Sequence, residues 1–246
     1  MSEPFSTTFA FVDGGAHSVT AIAVDNLGIE VSGSSAWDQV SNVVLGDYYV
    51  GMGDSITAGS GDDDFNDGVG YEPILESSLS SLLGYSHTVV NEGVSGTLAS
   101  DGASIVFTHL NNHPNASYFL ILYGSNDAKL TTPIPSGQGL NPGDFGYSGS
   151  YKASMEDIVT AVLNNGRTPY LALVPYNDRG CTSCNNMIQE YNVAIGELVG
   201  KYSIQVTPPD FFTYYKNNTN ELADGLHPNG VGYQSMASLW ETALTQ

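Results

Sequence analysis

The chain has 246 residues and sets six Lys and Arg against 26 Asp and Glu, a formal net charge of −20. Such a surface repels nucleic-acid phosphates and anionic lipid head groups, which argues against a nucleic-acid enzyme and against attachment to anionic membranes. A content of 41% apolar and 11% aromatic residues suits a globular protein with a core of its own, and the longest aliphatic–aromatic run, Tyr118–Tyr123, is far shorter than the roughly 20 residues of a membrane-spanning helix.

Residues 5–31 read as β structure. Phe5–Val12 and His17–Val24 flank the turn Asp13-Gly14-Gly15, which suggests a β-hairpin. Residues 32–47 are rich in Ser and Gly and read as a connector. An N-terminal hairpin and linker over 1–47 would then precede a larger domain over 48–246. From Tyr48 onward the pattern changes. Short apolar runs recur at Tyr48–Met52, His87–Asn91, Tyr118–Tyr123, Pro169–Val174 and Ser203–Val206, and they predict five strands. Between and after them lie segments with helical spacing: Tyr71–Leu83, roughly Leu98–Leu110, Tyr151–Asn164, Asn186–Val199 and Val231–Leu244. In the third, Met155, Ile158, Val159 and Val162 fall at i, i+3, i+4 and i+7. Strands alternating with helices predict an α/β fold, a parallel sheet covered on both faces. In such sheets a ligand site lies beyond the carboxyl ends of the strands, so polar residues directly after each strand are the candidates for chemistry.

Four segments meet that condition. Gly53-Asp54-Ser55 follows the first strand and sets a Ser on a Gly-flanked turn, although such a Ser is by itself more often a helix N-cap. Asn91-Glu92-Gly93-Val94-Ser95-Gly96 follows the second. A glycine there lets the backbone approach a ligand and aim an N–H at a developing negative charge. Gly124-Ser125-Asn126-Asp127 follows the third and offers the short amide of Asn126 as a donor, or simply a turn residue. Asp224-Gly225-Leu226-His227-Pro228 lies near the C-terminus. A carboxylate three residues before an imidazole can fix its tautomer and make it a general base. Of the five histidines, only His227 has an Asp three residues before it and a Pro after it.

Taken together, in this order, these blocks resemble the SGNH hydrolases, also called the GDSL esterase/lipase family. The resemblance spans about residues 48–244. It implies a three-layer αβα sandwich with a flavodoxin-like, parallel five-stranded sheet. It implies Ser55 as nucleophile, His227 as base and Asp224 as the residue that orients His227. The backbone N–H groups of Ser55 and Gly96 and the side-chain amide of Asn126 would form the oxyanion hole. Asp54, beside the nucleophile, is expected to be structural. The reaction implied is hydrolysis of short acyl esters, with removal of acetyl groups from carbohydrates as the alternative and lipase action less supported. No cofactor is required, and the expected partner is a small acyl ester or acetylated glycan. A non-catalytic adhesion module is the competing class, and it predicts decay of at least one of these positions, all of which are intact.

Three features stand outside that scheme. Asp62-Asp63-Asp64-Phe65-Asn66-Asp67-Gly68 has oxygen donors at alternate positions, as a calcium loop would, but the glycine falls one place late and Pro73 stands at the twelfth position, so a solvated acidic loop is the expectation. Thr131–Ser150 is a long Gly- and Pro-rich loop of the kind that often borders a site, with Tyr147, Tyr151 and Tyr176 nearby. Cys181 and Cys184 are the only cysteines. They read as a small structural disulfide in a loop, ahead of a redox pair or half a metal site, and a disulfide implies an oxidising compartment. The start Met1-Ser2-Glu3-Pro4 has no signal-peptide character. The segment Phe9–Gly28 also resembles the final strands of Ig-like repeats in large bacterial surface proteins, which would place the chain outside the cell or on its surface. A β extension of the hydrolase itself is the other reading.

Overall fold

The computed structural model describes residues 15–22, 37–45, 47–62, 70–130 and 142–246. Strand β1 (Gly15–Ile22) pairs antiparallel with β2 (Trp37–Leu45). The expected partner run, Phe5–Val12, lies outside the described residues. The partner that is seen falls within the stretch read as a connector. Ser and Gly in residues 32–36 give that stretch its loop-like composition, but the β-branched residues Val40, Val43 and Val44 favour a strand after them.

The remaining strands form one parallel sheet. These are β3 (Tyr48–Gly53), β4 (Thr88–Gly93), β5 (Tyr118–Leu122) and β6 (Thr168–Leu171), in the spatial order β4-β3-β5-β6. The sheet thus has four strands among the described residues, not five. The fifth apolar run, Ser203–Val206, carries no strand. Ser203 sits at φ 52, and Pro208 and Pro209, which lack N–H groups, come soon after it. A single backbone bond, from Leu173 N to Pro209 O at 3.1 Å, stands where a ladder would run. The short β6 contains Pro169, tolerated because the strand lies at the sheet's edge.

Seven α-helices are described: α1 (Glu72–Leu83), α2 (Ala99–Asn112), α3 (Ser125–Leu130), α4 (Tyr151–Asn164), α5 (Thr182–Lys201), α6 (Phe211–Asn217) and α7 (Gly230–Leu244). Alternation along the strands divides the core into two faces. Val50, Met52, Phe119 and Ile121 pack with Met155, Ile158, Val159 and Val162 of α4 and with Ile188, Tyr191 and Ile195 of α5. Tyr49, Leu120 and Leu122 pack with Leu75 and Leu79 of α1 and with Tyr233, Met236 and Trp240 of α7. Two cores, one on each side of a single sheet, make the three layers. A fully buried side chain such as Ile121 or Phe119 stabilises the fold by roughly 2 kcal/mol relative to exposure. Helix starts are capped as the composition suggests. Ser150 accepts from Ala153 N, and Asn229 accepts from Gly232 N.

Cys181 and Cys184 are joined by a disulfide, and the pair opens helix α5 rather than sitting in a loop. Cys181 Sγ accepts the N–H of Cys184, so sulfur does the N-capping that a Ser or Asp usually does. The bridge closes a very short loop. Replacing both cysteines by serine is therefore expected to cost at most about 2 kcal/mol, read as a lower denaturation midpoint without change of slope. No helix among the described residues is long and apolar enough to cross a membrane.

Candidate functional site

The order β4-β3-β5-β6 means that the chain leaves β3 on one side and returns on the other, and a crevice opens where the order reverses. Ser55 lies just after β3, at that crevice. Gly53, the last residue of β3, has no room for a side chain: a Cβ there would lie 2.0 Å from Thr57 Oγ1 and 2.5 Å from Leu122 O. The turn after it is therefore drawn tightly back over the strand end. Ser60 N donates to Ser55 O, and Asp54 Oδ1 accepts the Ile56 N–H at 2.9 Å. From the other side Tyr233 Oη of α7 lies 2.9 Å from the carbonyl oxygens of both Ile56 and Ser60 and shares its one proton between them.

The residues predicted from separate ends of the chain meet here. Ser55 Oγ lies 2.9 Å from His227 Nε2, and His227 Nδ1 lies 2.9 Å from Asp224 Oδ2. The carboxylate acceptor requires the proton on Nδ1, which leaves Nε2 to accept the Ser55 hydroxyl proton. Asp224 is held by more than the ring. Its Oδ1 accepts the backbone N–H groups of Leu226 and His227 at 3.0 and 2.9 Å. Burial by itself would raise the Asp224 carboxyl, but the N–H of His227, its ring and the N–H of Leu226 together hold it well below the usual carboxylate range. The turn is closed by Ala223 N donating to His227 O and by the bridge between Leu222 and Pro228.

Gly96 sits on the exposed loop after β4 at φ 84, a backbone conformation that favours glycine. Its loop is tied to the turn that carries Ser55 by Val94 N donating to Gly53 O and by the Ser60–Ser95 hydroxyl pair. Asn126, in the first turn of α3, donates Nδ2 to Thr97 O at 3.0 Å, which fixes its amide beside the same loop. Among the described residues, no protein acceptor takes the N–H of Ser55 or of Gly96.

Asp54 is buried directly beneath Ser55. Burial pushes its carboxyl up to about 7. The nearby Asp127 adds to the rise, and the N–H groups of Ile56 and Ser125 oppose it. Asp127 itself accepts the N–H of Ala99 at the start of α2. Of the three tyrosines, Tyr151 is buried and donates to Tyr123 O, and Tyr176 packs edge-on against Phe212. Tyr147 lines a cavity of about 670 Å³ with Ser100, Ser104, Asp144, Ser154 and Asp157, between α2 and α4 and apart from Ser55. Residues 63–69, most of the acidic loop, and 131–141, half of the long loop, lie outside the described residues. Among those described, no cluster of His, Cys, Asp and Glu has the geometry of a metal site.

Two supports of the site had no signal in the sequence. Tyr233 is one of fifteen tyrosines, on a helix with an ordinary apolar stripe. Arg179, which bonds Asp224, lies in an irregular segment with neither period nor motif.

A hydroxyl, an imidazole and a carboxylate thus stand in hydrogen-bonded series beyond the carboxyl ends of a parallel sheet in an αβα sandwich. Residues 52–235 match the GDSL-like Lipase/Acylhydrolase family, and the chain belongs to that family. No curated protein matches the sequence. Among solved structures, the chain is similar to a lipase/acylhydrolase from Enterococcus faecalis, with 21% identity and a TM-score of 0.62 over 80% of this chain and 94% of that one. It is similar to a catalytic mutant of Axe2, an acetylxylan esterase from Geobacillus stearothermophilus, with 17% identity and a TM-score of 0.61 over 82% and 96%. It is also similar to TesA, with 18% identity and a TM-score of 0.64 over 81% and 98%. Likeness at these identities establishes the shared fold.

Proposed function

We propose that the protein is a serine esterase that hydrolyses short-chain acyl esters through an acyl-enzyme. The observation that carries this reading is the continuous hydrogen-bonded series Ser55–His227–Asp224 at the mouth of the crevice. A neutral serine is a weak nucleophile, and a base within hydrogen-bond reach is what activates it. Ser55 Oγ attacks the ester carbonyl carbon as its proton passes to His227 Nε2. Asp224 stabilises the imidazolium that forms. Negative charge collects on the carbonyl oxygen, and the N–H groups of Ser55 and Gly96 and the second N–H of the Asn126 amide are the donors this reading assigns to it. His227 then gives its proton to the leaving alcohol. Water attacks the acyl-enzyme with His227 again as base. The acid departs and Ser55 recovers its proton. Each step uses side chains and water of this site, so no metal or organic cofactor is required.

Asn126→Ala is expected to lower kcat by ~10²–10³ with little change in KM, because its donor meets charge that exists only in the transition state. Steady-state kinetics on p-nitrophenyl acetate check this. A raised KM at constant kcat would mean that Asn126 binds the ground state instead.

A carbohydrate O-deacetylase is the second reading. It is supported by the similarity in fold to an acetylxylan esterase and by a net charge of −20, which suits a neutral glycan better than an anionic one. Rates on p-nitrophenyl esters from acetyl to decanoyl, beside acetate release from acetylated xylan, separate the two readings. We further infer an extracellular or cell-surface location, because a disulfide persists in oxidising compartments. Residues 1–47 are proposed as a unit apart from a hydrolase domain over 48–246.

A further inference from the structure

Asp224 receives one more donor than the base requires. Arg179 Nη2 donates to Asp224 Oδ2, the same oxygen that accepts from His227 Nδ1, and Arg179 Nε donates to the carbonyl of Asp224 at 3.0 Å. One guanidinium thereby grips the backbone and the carboxylate of the residue that orients the imidazole.

The segment that carries Arg179 is built to stay in place. Asn177 Oδ1 accepts the Arg179 N–H at 2.9 Å, and Asp178 N donates to Gly225 O at 2.7 Å. Asn177 and Asn185 exchange two further bonds, and the Cys181–Cys184 disulfide closes the end of the segment. The Arg179 stem also lies close over Gly225: a Cβ at that residue, which has φ +81, would stand 3.2 Å from Arg179 Cγ.

Stability does not account for this arrangement. The two side chains are 39% and 45% exposed, and ion pairs so exposed contribute little. The charge environment does. The titratable groups around the base include Asp178, whose N–H bonds Gly225 O, Glu221, whose carbonyl accepts from Asn229, Asp62, next to Gly61 against His227, and Asp54, buried beneath Ser55. All four are carboxyl groups, in a chain of net charge −20. A negative field stabilises an imidazolium before substrate arrives, and a protonated His227 cannot take the Ser55 proton. Arg179 is the cation among these groups.

We propose that Arg179 is a positioning residue for the base: it fixes the Asp224 carboxylate against the ring and offsets the surrounding negative charge, so that His227 is oriented to take the Ser55 proton. This rests on the esterase reading.

The test is Arg179→Gln, with Arg179→Lys as the conservative variant. In the glutamine variant the acid limb of kcat/KM is expected to move up by about half a pH unit at low ionic strength. The shift shrinks in about 0.5 M salt as charges are screened. Lost orientation lowers kcat roughly three- to tenfold without change in KM. The lysine variant restores the position of the limb but not the full kcat, because a single ammonium cannot span both oxygens. NMR titration of the His227 ring, assigned by its loss in His227→Gln, gives the same shift without any assay of turnover. An unmoved limb together with an unmoved NMR titration overturns the proposal. A raised KM at constant kcat also overturns it and makes Arg179 a substrate contact. If Ser55→Ala hydrolyses esters as well as the parent protein, the esterase reading fails instead, and the NMR titration still decides whether Arg179 acts on His227.

Discussion

Ser55→Ala is expected to lower kcat on p-nitrophenyl acetate by at least ~10⁴ while the protein stays folded. The loss is large because Ser55 Oγ is the sole side-chain atom in the proposed cycle that bonds to the acyl carbon, and groups that act as a unit do not compensate for one another. Any residual rate would come from the oxyanion donors activating direct attack by water. The fold is expected to survive because the turn that carries Ser55 is held by other atoms: Asp54 Oδ1 on Ile56 N, and Tyr233 Oη on the carbonyls of Ile56 and Ser60. Turnover and circular dichroism on the same preparation check both halves. Activity of the parent size in the alanine variant would remove Ser55 from the chemistry.

The second large effect concerns stability. The Asp54 carboxyl is buried and pushed up to about 7 from an ordinary value of 3.8. The folded protein therefore keeps this proton to higher pH than the unfolded chain does. The stability this confers is fully present below about pH 4 and is lost as pH rises through about 7. A shift of about three units corresponds to about 4 kcal/mol. Asp54→Asn retains an oxygen for the Ile56 N–H but never ionises. Its stability relative to the parent is therefore expected to rise by several kcal/mol between about pH 4.5 and about pH 8. Urea denaturation of both proteins at a series of pH values measures the difference. Glu72, also buried and also raised, acts with the same sign in both proteins and cancels. A difference that stays constant with pH would show that Asp54 ionises as an exposed carboxylate does.

The parts of this protein that are legible in its sequence share one property: their signal is local. The runs at Tyr48–Met52 and Tyr118–Tyr123 are continuous because a parallel strand is buried on both faces, and they appear as β3 and β5. The spacing of Met155, Ile158, Val159 and Val162 marks α4, which has the predicted limits Tyr151–Asn164. Short elements escape. Helix α3 spans Ser125–Leu130 and α6 spans Phe211–Asn217, both too brief for a 3.6-residue period to show. The start of α5 is hidden because a cysteine does the capping. Val40–Leu45 and Ser203–Val206 both carry apolar β-branched residues, yet the first lies in a strand and the second does not. Downstream residues and the available partner set the difference: Pro208 and Pro209 cannot complete a ladder, whereas β1 offers a full edge to β2.

The candidate site divides along the same line. Residues 53–55, 96, 124–127 and 224–227 are legible because each block comes after a strand or in a turn and gathers polar and glycine residues there. That Ser55 Oγ and His227 Nε2 stand 2.9 Å apart across 172 positions is a consequence of the strand order, which brings the end of β3 and the turn before α7 to one crevice. What the sequence determined by itself was the strand–helix alternation and the identity of the polar groups that meet at the crevice, since both are encoded in neighbouring residues. Only the tertiary structure decided the number of strands, the burial that raises the Asp54 carboxyl and the grip of Arg179 on Asp224. Each of those depends on groups far apart in the chain, and distance through space leaves no mark on local residue order.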